Sequence, residues 1–275
     1  MKKLLLILGA ALPLFSCRSL VLEDRAGCPS YLFFDVKEEN DPSIITQVHV
    51  TAFRQEDNSF MAQDTTTLRA MKDRTFYLPV HKTEGVEGYG MLGFSQMRKS
   101  GPMQWTVQEG QDGDPLYRFH YNASALEEEV LIPVRLEKDH SKIEIRFLHF
   151  EGFADPGGAF PFRICITGNT CGIDALSGVP VLGEFRYVPS EEGAGVFRFI
   201  APRQGDHSLT MEVYSIKDGE LLDQFRLWDF FRERVKFSWE QPILPDFKLY
   251  IDYSESVFHI SVQEWMPEDT LEFEI

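Results

Sequence analysis

Cysteine is the residue type whose placement in this sequence promises the most chemistry. The chain of 275 residues has four. Cys17 closes an apolar leader in which Lys2 and Lys3 form a short positive start and Leu4 to Leu14 an apolar run broken only by Gly9 and Pro13. That run is too short for a bilayer-spanning helix and has the length of a secretory h-region. Leu14, Phe15, Ser16 and Cys17 approximate a bacterial lipobox, with Phe15 bulkier than the strict pattern. In such a motif a peptidase cuts before the cysteine, and the sulfur carries a diacylglycerol. Cys165 and Cys171 bracket the turn-like insert ITGNT, which could bring their sulfurs together as a disulfide in an exported chain; two unpaired thiols are the other reading. Cys28 is left over and reads as a small buried apolar residue. None of these spacings suits zinc.

Catalytic patterns are absent from the sequence. Gly93-Phe94-Ser95-Gln96-Met97 lacks the closing glycine that a nucleophile elbow requires. No HExxH occurs, and His140 and His149 have neither helical spacing nor a carboxylate arranged for zinc. Asp112 and Asp114 in QDGDP hint at calcium but fall short of a loop with staggered oxygen ligands, so a turn is the better reading. Glu127-Glu128-Glu129 and Glu191-Glu192 read as solvated turns. The expectation is a non-catalytic protein with no cofactor and no metal site.

The elements that would carry these residues are strands. Period-two alternation dominates from Tyr31 onward: Tyr31 to Lys37, Gln47 to Arg54, Thr75 to His81, Tyr89 to Ser95, Gln104 to Gln108, Leu116 to Tyr121 and Val130 to Leu136. A polar break at Glu137-Lys138-Asp139-His140 precedes a second series: Ile143 to Phe147, Phe162 to Thr167, Gly183 to Val188, Gly195 to Ala201, Ser208 to Ile216, Phe247 to Asp252 and Val257 to Glu264. LRAMKD and LWDFFRERVKF are the candidate helices. The fold class is therefore all-β, with two tandem antiparallel β-sandwich domains. The expected layout is a signal peptide over 1–16, a lipidated tether over 17–29, and domains over 30–139 and 140–275. A formal net charge of −16 repels phosphate backbones, which argues against a nucleic-acid partner.

Four stretches, in order, carry a resemblance. CRSLVLEDRAGCPSYLFFDV, with Cys17, the acidic Glu23-Asp24-Arg25 and Cys28-Pro29 before the first strand, resembles the amino terminus of FimB-like fimbrial anchor subunits of Bacteroidales type V pili. VRLEKDHSKIEIRF is similar to the start of that family's second domain. PFRICITGNTCGIDALSGVPVLGEF is similar to its mid-domain stretch, through Gly172, Asp174, Pro180, Gly183 and Phe185. FKLYIDYSESVFHISVQEW is similar to its closing strands, ending on Trp265. The resemblance implies transthyretin-like domains, a lipid anchor in the outer membrane at the cell surface, and a fimbrial stalk subunit (pilin) as partner. The role it implies is to hold the stalk to the cell and limit its length, without cleavage inside the fold after Arg25.

The tail MPEDTLEFEI alternates Leu271, Phe273 and Ile275 with Glu272 and Glu274, the pattern of a half-buried strand. It reads either as a strand donated to a pilin or as an edge strand of its own domain. The alternative function is a surface adhesin or glycan-binding lipoprotein, at a fimbrial tip or in nutrient capture. Trp105, Tyr117, Trp228 and Trp239 are its candidate stacking platforms, with core burial as the competing fate.

Overall fold

The computed structural model describes residues 27–36, 47–150, 160–235, 237–253 and 258–265. Cys17 and the tail residues Leu271, Phe273 and Ile275 lie outside them. The regular structure of the described residues is almost entirely strand, arranged as two sandwiches.

The first sandwich uses β1 (Ser30–Val36), β2 (Gln47–Arg54), β3 (Phe60–Thr67), β4 (Leu78–Val80), β5 (Thr83–Leu92), β8 (Tyr117–Ala125), β9 (Glu129–Val134) and β10 (Glu137–Lys138). A three-stranded sheet, β4-β1-β9, faces a five-stranded sheet, β10-β8-β5-β2-β3. Helix α1 (Leu68–Lys72) follows β3, with the Thr67 hydroxyl accepting from the Ala70 amide as its cap. The alternation in β1 does what the pattern demands: Leu32, Phe34 and Val36 are buried. Phe34 packs against the rings of Phe76, Phe119 and Tyr121. Gly90 makes room for this core, because a Cβ there would sit 2.1 Å from Cζ of Phe119.

The second sandwich uses β11 (His140–Leu148), β12 (Phe162–Asp174), β13 (Pro180–Tyr187), β14 (Val196–Pro202), β15 (Thr210–Ser215), β16 (Leu221–Arg226), β17 (Phe247–Asp252) and β18 (His259–Glu264), with helix α2 (Leu227–Val235) after β16. Its sheets are β14-β11-β17-β18 and a larger one built on β12. The topology repeats that of the first sandwich: the order β3-β2-β5-β8 recurs as β13-β12-β15-β16, and β4-β1-β9 as β14-β11-β17. In each, the first strand runs parallel to a strand about a hundred residues later, β1 with β9 and β11 with β17.

One segment breaks this tandem arrangement. The hairpin β6 (Met97–Lys99) and β7 (Gln104–Val107) leaves the first sandwich after β5 and joins the large sheet of the second, pairing Trp105 with Ile173 and Thr106 with Gly172. Met97, Trp105 and Val107 thereby enter the core of the second sandwich, together with Phe53, Tyr89 and Met91 from the back of the first. His49 and Phe94 lie with ring centroids 5.9 and 4.9 Å from that of Trp105.

Two cysteine expectations are corrected. Cys165 and Cys171 are both free thiols. ITGNT is not a turn; it continues β12 through two register shifts, so both cysteines sit on one strand. Six residues of strand span roughly 20 Å, well past the reach of a disulfide, whose Cα atoms lie within about 7 Å. Cys28 is exposed, because burial begins only at Ser30.

Trp105→Ala should destabilise the protein by about 3–5 kcal/mol, the cost of truncating a buried tryptophan. Because its ring touches both sandwiches, chemical denaturation followed by circular dichroism and by fluorescence should show one shifted transition. Early melting of one half alone would contradict the shared core.

Candidate functional site

The chain passes from one sandwich to the other between Lys138 and His140, and the polar run there is buried. Asp139 is 2 % exposed. One carboxylate oxygen accepts from Nε of Arg118 on β8 at 3.1 Å; the other accepts from Nε of Arg203, just past β14, at 2.6 Å. A single linker carboxylate thus joins an arginine from each half. Arg118 also pairs with Glu137. Arg203 donates to the carbonyls of Trp239 and, at 2.8 Å, of Gln241. Lys138 donates from Nζ to Asp246 at 2.6 Å and to the Leu244 carbonyl at 2.9 Å. Burial pushes the Lys138 ammonium below its ordinary range, against the opposing pull of Asp246. His140 is fully buried, and its Nδ1–H donates to the Leu116 carbonyl over 3.0 Å. Burial, with Lys138 beside it, drives its pKa down to about 3, so the ring is neutral.

A second clasp comes from the loop before β8. Asp112 accepts from the amides of Gly113 at 2.9 Å and of Ile200 on β14 at 2.8 Å. Asp114 accepts from the Ser95 hydroxyl at 2.7 Å and from the Gln96 and Met97 amides. The two aspartates hold backbone, one across the junction and one at the root of the hairpin. Among the described residues no group of three or more His, Cys, Asp or Glu is placed to hold a metal ion. His149, paired with Asp252 at 3.2 Å, is remote from His140 in role: one is exposed, the other packed inside the junction.

Beside the Asp139 network opens a cleft of about 440 Å³, walled by both halves. Arg118 and Glu137 come from the first; Gln204, His207, Trp228 and Trp239 from the second. His207 lies flat on Trp228, ring centroids 3.8 Å apart and planes within 7°. Of the four aromatic residues singled out from sequence, Trp228 and Trp239 line this cleft. Trp105 is core, and Tyr117 is half-buried against His140 at 5.3 Å.

Open sheet edges are the other feature able to engage a partner. Among the described residues the outer edges of β3, β9, β13, β16 and β18 pair with no further strand. β13 exposes Leu182, and the turn before it Val179. β18 pairs with β17 from Asp252↔His259 to Phe247↔Glu264, and the Trp265 amide then donates to the Asp246 carbonyl at 2.8 Å. The chain therefore leaves its last described strand next to the junction. Sequence reasoning missed Arg118, Asp139 and Arg203. The only signal was a charged run flanked by apolar strands, which is also how a solvated linker reads.

Neither a protein-family model nor a curated protein sequence matches the chain. Solved structures do, and what they share with this chain is the fold. A candidate adhesin of Bacteroides thetaiotaomicron superposes with a TM-score of 0.61 at 13% identity, covering 88% of this chain and 98% of that one. A candidate polysaccharide-binding protein of the same species gives 0.60 at 11%, covering 88% and 99%. The fimbrial anchor protein Mfa2 of Porphyromonas gingivalis superposes with a TM-score of 0.64 at 11% identity, covering 86% of this chain and 98% of that one. This chain has the fold of that anchor over nearly its whole length.

Asp139→Ala should cost about 3–5 kcal/mol in urea unfolding, since it strands two buried guanidinium groups. For Asp112, burial, against its two amide donors and helped by Asp114, pushes the carboxyl up from 3.8 to about 6. The native state thus binds this proton more tightly than the unfolded chain does. Its stabilising contribution is complete below the unfolded value and is lost as pH rises through about 6. Asp112→Asn keeps the accepting oxygen, so it should gain stability relative to the parent protein between pH 4 and pH 7, as read from unfolding midpoints across that range.

Proposed function

We propose that this protein is a fimbrial anchor lipoprotein: a non-catalytic, two-sandwich subunit held in the outer membrane through Cys17 and gripping the first pilin of a type V stalk, whose length it limits. The observation that carries this reading is the superposition on a fimbrial anchor over 98% of that chain. The leader ending at Leu14-Phe15-Ser16-Cys17 supports the lipid, since two or more acyl chains anchor a protein stably where one is marginal. No helix among the described residues is long and apolar enough to cross a membrane. The open strand edges support strand addition, in which main-chain hydrogen bonds give affinity and alternate side chains give specificity.

The tail deepens the proposal. Its alternating Leu271, Phe273 and Ile275 follow a chain that departs from β18 beside the junction, a position from which a short strand can be offered to a neighbour. The lipidated sulfur and the offered strand then sit at opposite ends of the sequence, one for the membrane and one for the filament.

Mature protein from cells should begin at a diacylated Cys17 by mass spectrometry, and Cys17→Ala should move it from the membrane fraction to the soluble one with stalks shed into the medium. Deleting residues 268–275 should leave the protein folded and membrane-bound while stalks are lost. Full stalk retention with that deletion would reject strand donation, and pull-down of the pilin by the intact protein would then point to an acceptor edge.

A further inference from the structure

We propose that the outer face of the three-stranded sheet β4-β1-β9 rests on the lipid surface, so that the first sandwich lies against the membrane by a patch of aromatic and aliphatic side chains. Such a seat presupposes the lipid on Cys17 and adds a second contact between the body and the bilayer.

Alternation in these three strands sends one set of side chains into the core and turns the other outward. Leu32, Phe34 and Val36 of β1, Leu78 and Val80 of β4, and Ile132 and Val134 of β9 are buried. The outward set is apolar as well. The register places Phe33 beside Leu131 and Tyr31 beside Pro79. Tyr77, the residue before β4, packs edge-on against Tyr31 with ring centroids 5.0 Å apart, and against Phe33 at 5.8 Å. Tyr77 and Leu131 are 48 % and 49 % exposed, and Pro79 and Pro133 are exposed on the same side. Single exposed apolar residues are ordinary on a soluble protein, whereas a contiguous patch marks a contact surface.

The second sandwich provides the comparison, since β14-β11-β17 repeats the place of β4-β1-β9. Its outward rung is ionic: Glu144 of β11 stands between Arg198 of β14 and Lys248 of β17. Glu144 accepts from Arg198 at 2.8 Å and from Arg146 at 2.5 Å, and the Lys248 ammonium lies over the ring of Trp265. One position in the repeated fold thus carries charge in the sandwich remote in sequence from Cys17, and bare aromatic rings in the sandwich next to it.

Reach and chemistry select lipid as the occupant. Tyr31 comes fourteen residues after Cys17, so even a fully extended tether keeps the patch within about 50 Å of the sulfur. Tethering holds the bilayer at a high effective concentration, and a weak contact then suffices. Tyrosine presents an apolar body and a polar tip, the combination found at headgroup level where one end is dry and the other wet. The rim carries both signs, with Glu127, Glu128 and Glu129 at the end by Tyr31, and Arg135 with the Arg74–Asp35 pair, 3.6 Å apart, at the other. A mixed rim suits a zwitterionic headgroup layer, with apolar burial supplying the attraction.

The lipidated mature chain in phosphatidylcholine vesicles, with and without brominated acyl chains, tests the seat through tryptophan emission. Leu131→Trp puts a reporter in the patch. Leu148→Trp makes the same exchange on the outward side of β11, where Leu148 is 39 % exposed. Both positions face solvent, so both variants should unfold at the parental midpoint. The emission that Leu131→Trp adds to that of the four native tryptophans should fall about twofold in brominated vesicles, because a side chain seated at the headgroup boundary lies next to the acyl chains. The emission added by Leu148→Trp should not change. Tyr77→Ser, combined with Leu131→Trp, should restore most of the lost signal. Flotation with the vesicles separates two failures: a protein that floats while its Leu131→Trp emission ignores bromine would overturn the seat and leave the lipid anchor standing, and one that does not float would overturn both. Equal quenching of Leu131→Trp and Leu148→Trp would also overturn the seat. Absence of quenching together with a dimer in detergent solution would give the face to a second copy of the chain instead.

Discussion

Everything in the arrangement of the two sandwiches turns on one carboxylate. Asp139 is the single residue between β10 and β11, with Arg118 of the first half on one oxygen and Arg203 of the second on the other. A charge taken out of water costs several kcal/mol unless it is paired and hydrogen-bonded. Neither arginine can leave without exposing that cost, so the relative position of the halves is set by chemistry at a point. The neighbours follow from it. Lys138 and His140, on either side of Asp139 in sequence, are drawn inside with it and must find Asp246 and the Leu116 carbonyl.

The hairpin of β6 and β7 makes the same connection by packing. A strand from the first half completes a sheet of the second, while Trp105 fills the space behind β2 and β5. The two halves share a core, although the strand order of each is complete and nearly the same. The cleft takes its walls from either side of the linker, and the arginines that hold Asp139 are among its lining.

Much of this was legible in the residues. Gln47–Arg54 and Phe247–Asp252 alternate cleanly, and the strands have those bounds. β3 was not legible, because FMAQDTTT is an edge strand with little of either face buried. β16 was hidden for the same reason, its Leu221 and Leu222 both exposed. Gln104 to Val107 read as a strand but not as a member of the second sheet, because pairing with residues near Ile173 is a long-range relation that periodicity does not encode. The run at 137–140 was read as a polar break, since charged residues are rarely buried unless paired. Their partners at 118, 203 and 246 are far along the chain. The disulfide expectation failed on a related point: glycine and asparagine in ITGNT suggested a turn, whereas β12 absorbs them as bulges against β13.

The parallel pairs give the molecule a mechanical character. In β1 with β9, and again in β11 with β17, the two strands run the same way over six facing positions, from Tyr31↔Glu129 to Val36↔Val134 and from Ile143↔Phe247 to Leu148↔Asp252. The chain enters each pair at one end and leaves it at the other. A pull along the chain therefore loads the rungs of each ladder in shear, all together, where an antiparallel hairpin would open one rung at a time like a zip. The same connectivity that closes each sandwich makes it resistant to tension between the two strands of its parallel pair.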